Sequence, residues 1–148
     1  MAFHVFSNAF TEGGTIPRLH SCEGADVSPS LEWRDPPSGT LSFALVMDDP
    51  DAPSGLWTHW MLWDIPARVR TLAQGAKRVG VAGVNDFGKP GYGGPCPPAG
   101  QTHRYIFRLY AIGAAALSLS AGAKRRAFDA AIAGKVVGEA VFMGRFHR

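Results

Sequence analysis

The stretch GKPGYGGPCPPAGQTHRYIFRLYAI, Gly88–Ile112, decides the reading of this 148-residue chain. Glycines and prolines crowd Gly88–Gly100, so neither a helix nor a hydrogen-bonded ladder runs through it. Within two residues the pattern changes. His103–Ile112 is aromatic, β-branched and apolar, which predicts one well-formed strand. Alternate residues of a strand share a face. His103, Tyr105, Phe107 and Leu109 therefore fall on one side, and Arg104, Ile106, Arg108 and Tyr110 on the other. A stiff loop thus delivers a histidine and a tyrosine to one end of a strand, a common way to build a binding site.

Working outward, two more strands stand out. Leu41–Met47 is a continuous apolar run between turn signals and predicts a buried strand. Trp57–Ile65, WTHWMLWDI, predicts a second, with Trp57, His59, Met61, Trp63 and Ile65 on one face; Pro66 ends it. The rigid loop DDPDAPSG (Asp48–Gly55) joins them. Phe3–Phe6 suits an edge strand and Leu31–Trp33 a short extended piece. Ala67–Gly83 reads as loop with a short helix. Lys124–Ala133, rich in alanine and free of glycine and proline, reads as a helix stopped at Gly134. Val136–Met143 reads as a second helical segment. Strands fill the first three quarters and helices the last, which predicts one mainly-β domain over residues 1–148: an antiparallel sheet with C-terminal helices, not alternating βαβ units.

Composition narrows the function classes. A hydrophobic share of 46% and a charged share of 18% fit a globular domain. No apolar run approaches the ~20 residues of a spanning helix, and MAFHVFSNAF lacks the marks of a signal peptide. A cytoplasmic location is the default expectation. With no secretion signal, Cys22 and Cys96 are expected as free thiols. The charge of +3 is scattered apart from Lys124–Arg126, expected as a solvated helix face, so nucleic-acid binding is not expected. His4, His20 and His147 are expected on the surface, and Trp33, Trp60 and Trp63 in the core.

Both proline-rich loops carry polar residues next to an apolar strand. Asp49, Asp51 and His59 come from the first, His103 and Tyr105 from the second. If the strands are neighbours, these residues form one pocket walled by Trp57, Pro97 and Pro98. Two imidazoles and a phenol supply donors. A carboxylate orients an imidazole and favours its charged form, and an imidazolium makes charge-assisted bonds to an anion. Such a pocket suits a small anion or a phosphate head group.

DDPDAPSGLWTHW (Asp48–Trp60) and GYGGPCPPAGQTHRYIFRLYAI (Gly91–Ile112) resemble the two signature motifs of the phosphatidylethanolamine-binding protein family, which includes the Raf kinase inhibitor proteins. CEGADVSPSLEW (Cys22–Trp33) resembles the short N-terminal motif of its bacterial members. The likeness covers nearly the whole chain. It implies a central antiparallel sheet packed on a smaller sheet, a C-terminal helical segment, and an anion pocket at one end of the large sheet. By position it implies Asp49, Asp51, His59, Pro97, Pro98, His103 and Tyr105 as ligand-binding residues, with Trp57 as wall and Gly94 as backbone. It makes Ala52–Pro53 a candidate cis peptide. It implies no cofactor and no metal, a phospholipid head group as ligand, and a homodimer as a further expectation. Two departures stand out. The chain ends early, which makes a kinase partner unsafe to carry over. Phe146 stands where bacterial members often have tyrosine.

No G-x-S-x-G elbow, P-loop or HExxH pattern appears. The leading expectation is therefore a binding protein with no catalytic residue. The alternative is an enzyme using Asp49, His59 and His103 for acid–base chemistry on a small metabolite, or a metal site built from the same residues.

Overall fold

A computed structural model describes residues 2–148. The strands are β1 (His4–Phe6), β2 (Leu31–Arg34), β3 (Ser42–Asp49), β4 (Trp57–Pro66), β5 (Thr71–Leu72), β6 (Val81–Ala82), β7 (Thr102–Ile112) and β8 (Val136–His147). Among the described residues one α-helix, α1 (Arg125–Ile132), lies between β7 and β8, and a single 3-10 turn covers Arg18–His20. Strands β6-β4-β3-β7-β8 form the large sheet and β1-β2-β5 the small one, and every strand pair is antiparallel. The fold is mainly β, with two sheets and a short helix near the C-terminus.

The all-apolar run of β3 is explained by burial on both faces, as its eight residues are all buried. One face of the large sheet packs on the small sheet through Phe43, Leu45, Met47, Trp60, Phe107, Leu109 and Phe142, with Trp33 and Leu31 opposite. The other face receives α1. Phe128 and Ile132, one helical turn apart, pack on Ala44, Val46, Met61 and Trp63. Trp33, Trp60 and Trp63 are core residues, as expected.

β4 departs from simple alternation. Its pairing with β3 shifts register between Met47 and Asp48 and again between Phe43 and Leu45. Each shift adds one residue on β4, near His59 and at Asp64, whose φ of 54° is left-handed. Trp57 and His59 do share a face, but Met61 and Trp63 turn to the helix side. Trp60, Leu62 and Ile65 take the inter-sheet side instead.

Four further expectations are corrected. Val136–Met143 is not a helix but most of β8, the partner of β7 over its full length. Ala140, Phe142, Gly144 and Phe146 alternate inward, and Gly144 lies where a side chain would collide with Phe10 and Ile16. Ala67–Gly83 contains β5 and β6 and no helix, because each short segment finds a sheet edge to pair with. Arg125 is not part of a solvated face. Its guanidinium donates to Asp48 and, at 3.0 Å, to Thr58 Oγ1, tying α1 to the sheet. His20 is buried, with Nδ1 donating to the Val27 carbonyl at 2.8 Å. His4 and His147 are exposed.

Candidate functional site

The end of β3 and the starts of β4 and β7 meet at one edge of the large sheet, because β3 runs antiparallel to both. This geometry brings the two proline-rich loops together around a cleft of about 280 Å³. Asp49, Trp57, His59, Pro97, Pro98 and His103 all line it, joined by Ala52, Pro53, Ser54, Phe87 and Cys96.

At its base His103 Nδ1 donates to Asp49 Oδ2 at 2.6 Å, with both side chains about 95% buried. The other Asp49 oxygen accepts the Asp51 N–H at 2.8 Å, so the loop clamps the carboxylate in place. His103 Nε2 lies 2.8 Å from Gln101 Oε1. That contact is a hydrogen bond when Nε2 carries a proton, and a turn of the amide presents N–H to the neutral ring. Gln101 can therefore serve either protonation state.

His59 is held differently. Its Nδ1 donates to the Gly93 carbonyl at 2.6 Å, and the Gly93 N–H returns a bond to the His59 carbonyl at 2.9 Å. Phe87 and Tyr105 meet its ring edge-on, each at 5.2 Å. Burial pushes the His59 pKa below the usual histidine value, and the Gly93 carbonyl and Asp49 offset this only in part. The neutral ring with Nδ1–H is the resting state, so Nε2 carries a lone pair.

The other candidate residues lie outside the cleft. Tyr105 sits beneath His59 rather than on the cleft surface. It is fully buried and its hydroxyl has no hydrogen-bond partner. Burial and then the Asp49 charge push its pKa far up, so it stays a neutral phenol. Asp51 faces away. Its carboxylate accepts three bonds from Arg104, one from the backbone N–H and two from the guanidinium. Those bonds lower its pKa to about 2. Gly94 gives its N–H to Asp26 Oδ1 at 2.8 Å, and a Cβ there would lie 2.0 Å from the His20 carbonyl oxygen. Its role is close backbone approach. Ala52–Pro53 is trans, as no cis peptide occurs among the described residues.

Cys22 and Cys96 form a disulfide rather than free thiols. The free-thiol expectation rests on compartment, not on geometry. Here Cys22 N–H donates to the Pro95 carbonyl at 3.0 Å, and Tyr92 Oη donates to the His20 carbonyl at 2.6 Å, so the two loops lie side by side. The bond fixes the Cys96–Pro98 wall of the cleft to the N-terminal loop. Arg148 adds a second tie, donating to the Pro97 carbonyl at 3.3 Å.

Phe87 and Gln101 were not singled out from sequence. Phe87 is the lone aromatic in a turn, NDFGKP, which was a readable signal. Gln101 stands two residues before His103, on the approach to the strand.

The donor set does not favour a metal. Among the described residues no three His, Cys, Asp or Glu side chains are placed to hold an ion. No helix of the described residues is long and apolar enough to cross a membrane.

Two antiparallel sheets with a clamped histidine–aspartate pair at one edge define a class of small β proteins with an edge cleft. The sequence profile of the phosphatidylethanolamine-binding protein family matches residues 6–147. A UPF0098 protein of Aquifex aeolicus is 45% identical over 97% of this chain and 88% of its own length. YbcL of E. coli, described as a member of the mammalian family, superposes with a TM-score of 0.94 at 32% identity over 100% of this chain and 99% of its own. A phosphatidylethanolamine-binding protein homolog from Chlamydia trachomatis gives 0.93 at 36% identity over 99% and 98%. The chain belongs to the phosphatidylethanolamine-binding protein family.

Proposed function

We propose that the edge cleft binds a small phosphate-like anion, such as a phospholipid head group, and takes up a proton as it does so. The observation that carries this is the set of ionisable groups in the cleft. Among the described residues Asp49, His59 and His103 are the only titratable side chains lining it. A proton gained by His59 adds one positive charge to the cleft beside the Asp49 carboxylate and so favours an anion. His59 Nε2 becomes a donor only by gaining a proton. An anion and a proton therefore enter together.

Calorimetry tests this. Phosphate and phosphoethanolamine are titrated at neutral pH in two buffers of different ionisation heat. Uptake of about one proton per anion is expected, with binding at least about tenfold weaker in His59→Ala and His103→Ala. Binding that is independent of pH and of both histidines would refute the reading.

The buried Asp49–His103 pair also favours a second reading, a base oriented by a carboxylate for acid–base catalysis. Turnover of a small ester or phosphoester that is lost in Asp49→Asn would establish it. Self-association and a regulatory role on a kinase belong to the same proposal as family expectations. Sedimentation of the purified protein decides the first, and a pull-down at near-cellular concentration the second. The disulfide fits an oxidising compartment better than the expected cytoplasm, and trapping thiols in intact cells decides between them, since cytoplasmic protein would carry Cys22 and Cys96 reduced.

A further inference from the structure

A second and larger concavity, about 710 Å³, lies on the other side of the His59–Trp60 step. Its volume falls in the range of small-molecule sites. Trp60, Leu62, Ala82 and Tyr92 contribute its apolar lining. Trp60 and Tyr92 meet edge to face, with ring centres 5.3 Å apart. The Tyr92 hydroxyl is already bonded to the His20 carbonyl, so the polar end of that ring is satisfied.

The rim is charged and asymmetric. Lys77 and Arg78 stand on a loop between Gly75 and Gly80, and among the described residues neither makes an ion pair. The loop is anchored. Gly75 N–H donates to the Ser28 carbonyl and Ala76 N–H to the Ala73 carbonyl, each at 2.9 Å. Arg78 has a left-handed φ of 63°, which an arginine rarely adopts. Among the described residues Asp26 is the only acid lining the concavity, and one of its oxygens accepts the Gly94 N–H.

We infer that this concavity is a second binding site, for a small organic acid with a flat or branched apolar body and a single carboxylate. The apolar lining takes the body. Lys77 and Arg78 take the carboxylate in charge-assisted bonds. Asp26 disfavours a second negative charge. This site needs no proton uptake and does not depend on the reading of the edge cleft.

The test uses 4-phenylbutyrate and its neutral amide, 4-phenylbutanamide, in amide NMR titrations of the full chain. The acid is expected to shift Gly75, Gly80, Gly91 and Tyr92 saturably. The amide is expected to bind about tenfold more weakly. Arg78→Gly keeps the left-handed backbone and removes the charge; it should weaken the acid about tenfold. His59→Ala should leave the acid bound. Equal binding of acid and amide overturns the inference. So do shifts centred on His59 and His103 that vanish in His59→Ala, or no saturation by about 10 mM.

Discussion

Removing the Cys22–Cys96 bridge tests how far the cleft depends on a covalent tie. The bridge spans a sequence separation of 74. Closing a loop of that length in the unfolded chain is worth about 4.5 kcal/mol by chain entropy. Residual structure in the unfolded chain trims this to about 3 kcal/mol. Total stability for a domain of this size is about 5–15 kcal/mol, so the loss is a large fraction. At about 2–4 °C per kcal/mol the melting temperature should fall by about 6–12 °C. The assay is thermal unfolding of the wild type with and without a phosphine reductant, beside Cys22→Ser/Cys96→Ser. Reduced wild type and the double variant should coincide. Cys96 also forms part of the cleft wall, so the stabilisation conferred by phosphate should shrink in both. A melting temperature unchanged within about 2 °C would refute the reasoning. So would two titratable thiols in denatured protein that was never reduced.

Three other outcomes follow from the geometry. The His59 pKa lies below its unfolded value of about 6.5, so the fold favours the neutral ring and stability falls as pH drops below 6.5. Saturating phosphate should reverse part of that fall, as read by melting temperature against pH. Asp51 is lowered to about 2 by Arg104, so its contribution is present above about pH 4 and fades from there toward pH 2. Asp51→Asn should flatten that step in acid denaturation. Arg125→Ala leaves Asp48 buried without its cation and should cost about 3 kcal/mol in chemical denaturation. Asp48→Asn/Arg125→Met should recover most of that loss, since burial already pushes the Asp48 pKa up against the pull of Arg125.

The strands that frame the cleft were readable in the sequence because each is long, apolar and bounded by proline and glycine. β3, β4 and β7 lie within one or two residues of their expected limits. Six of the nine candidate residues meet in one cleft because they sit at the same end of three neighbouring strands. What escaped reading has physical causes. In β8, glycines and an alanine blur the alternation that Phe142 and Phe146 would otherwise announce. The disulfide depends on two loops 74 residues apart being brought together, which no local pattern reports. Arg125 looked like one of three surface cations, and only the buried Asp48 on the neighbouring sheet distinguishes it. Asp51 and Gly94 belong to the same loops as the cleft residues, but Arg104 and Asp26 claim their hydrogen bonds.

The bulge near His59 has a consequence for how the strand tolerates change. Thr58 reaches Arg125 under the helix, His59 lines the edge cleft, and Trp60 lines the larger concavity. Three consecutive residues thus serve three compartments, where a regular strand would divide them between two. The arrangement works as a counting device whose phase is set by one extra residue. Substitutions at these positions alter one compartment each, but losing a single residue between Trp57 and Trp60 would exchange the occupants of all three at once.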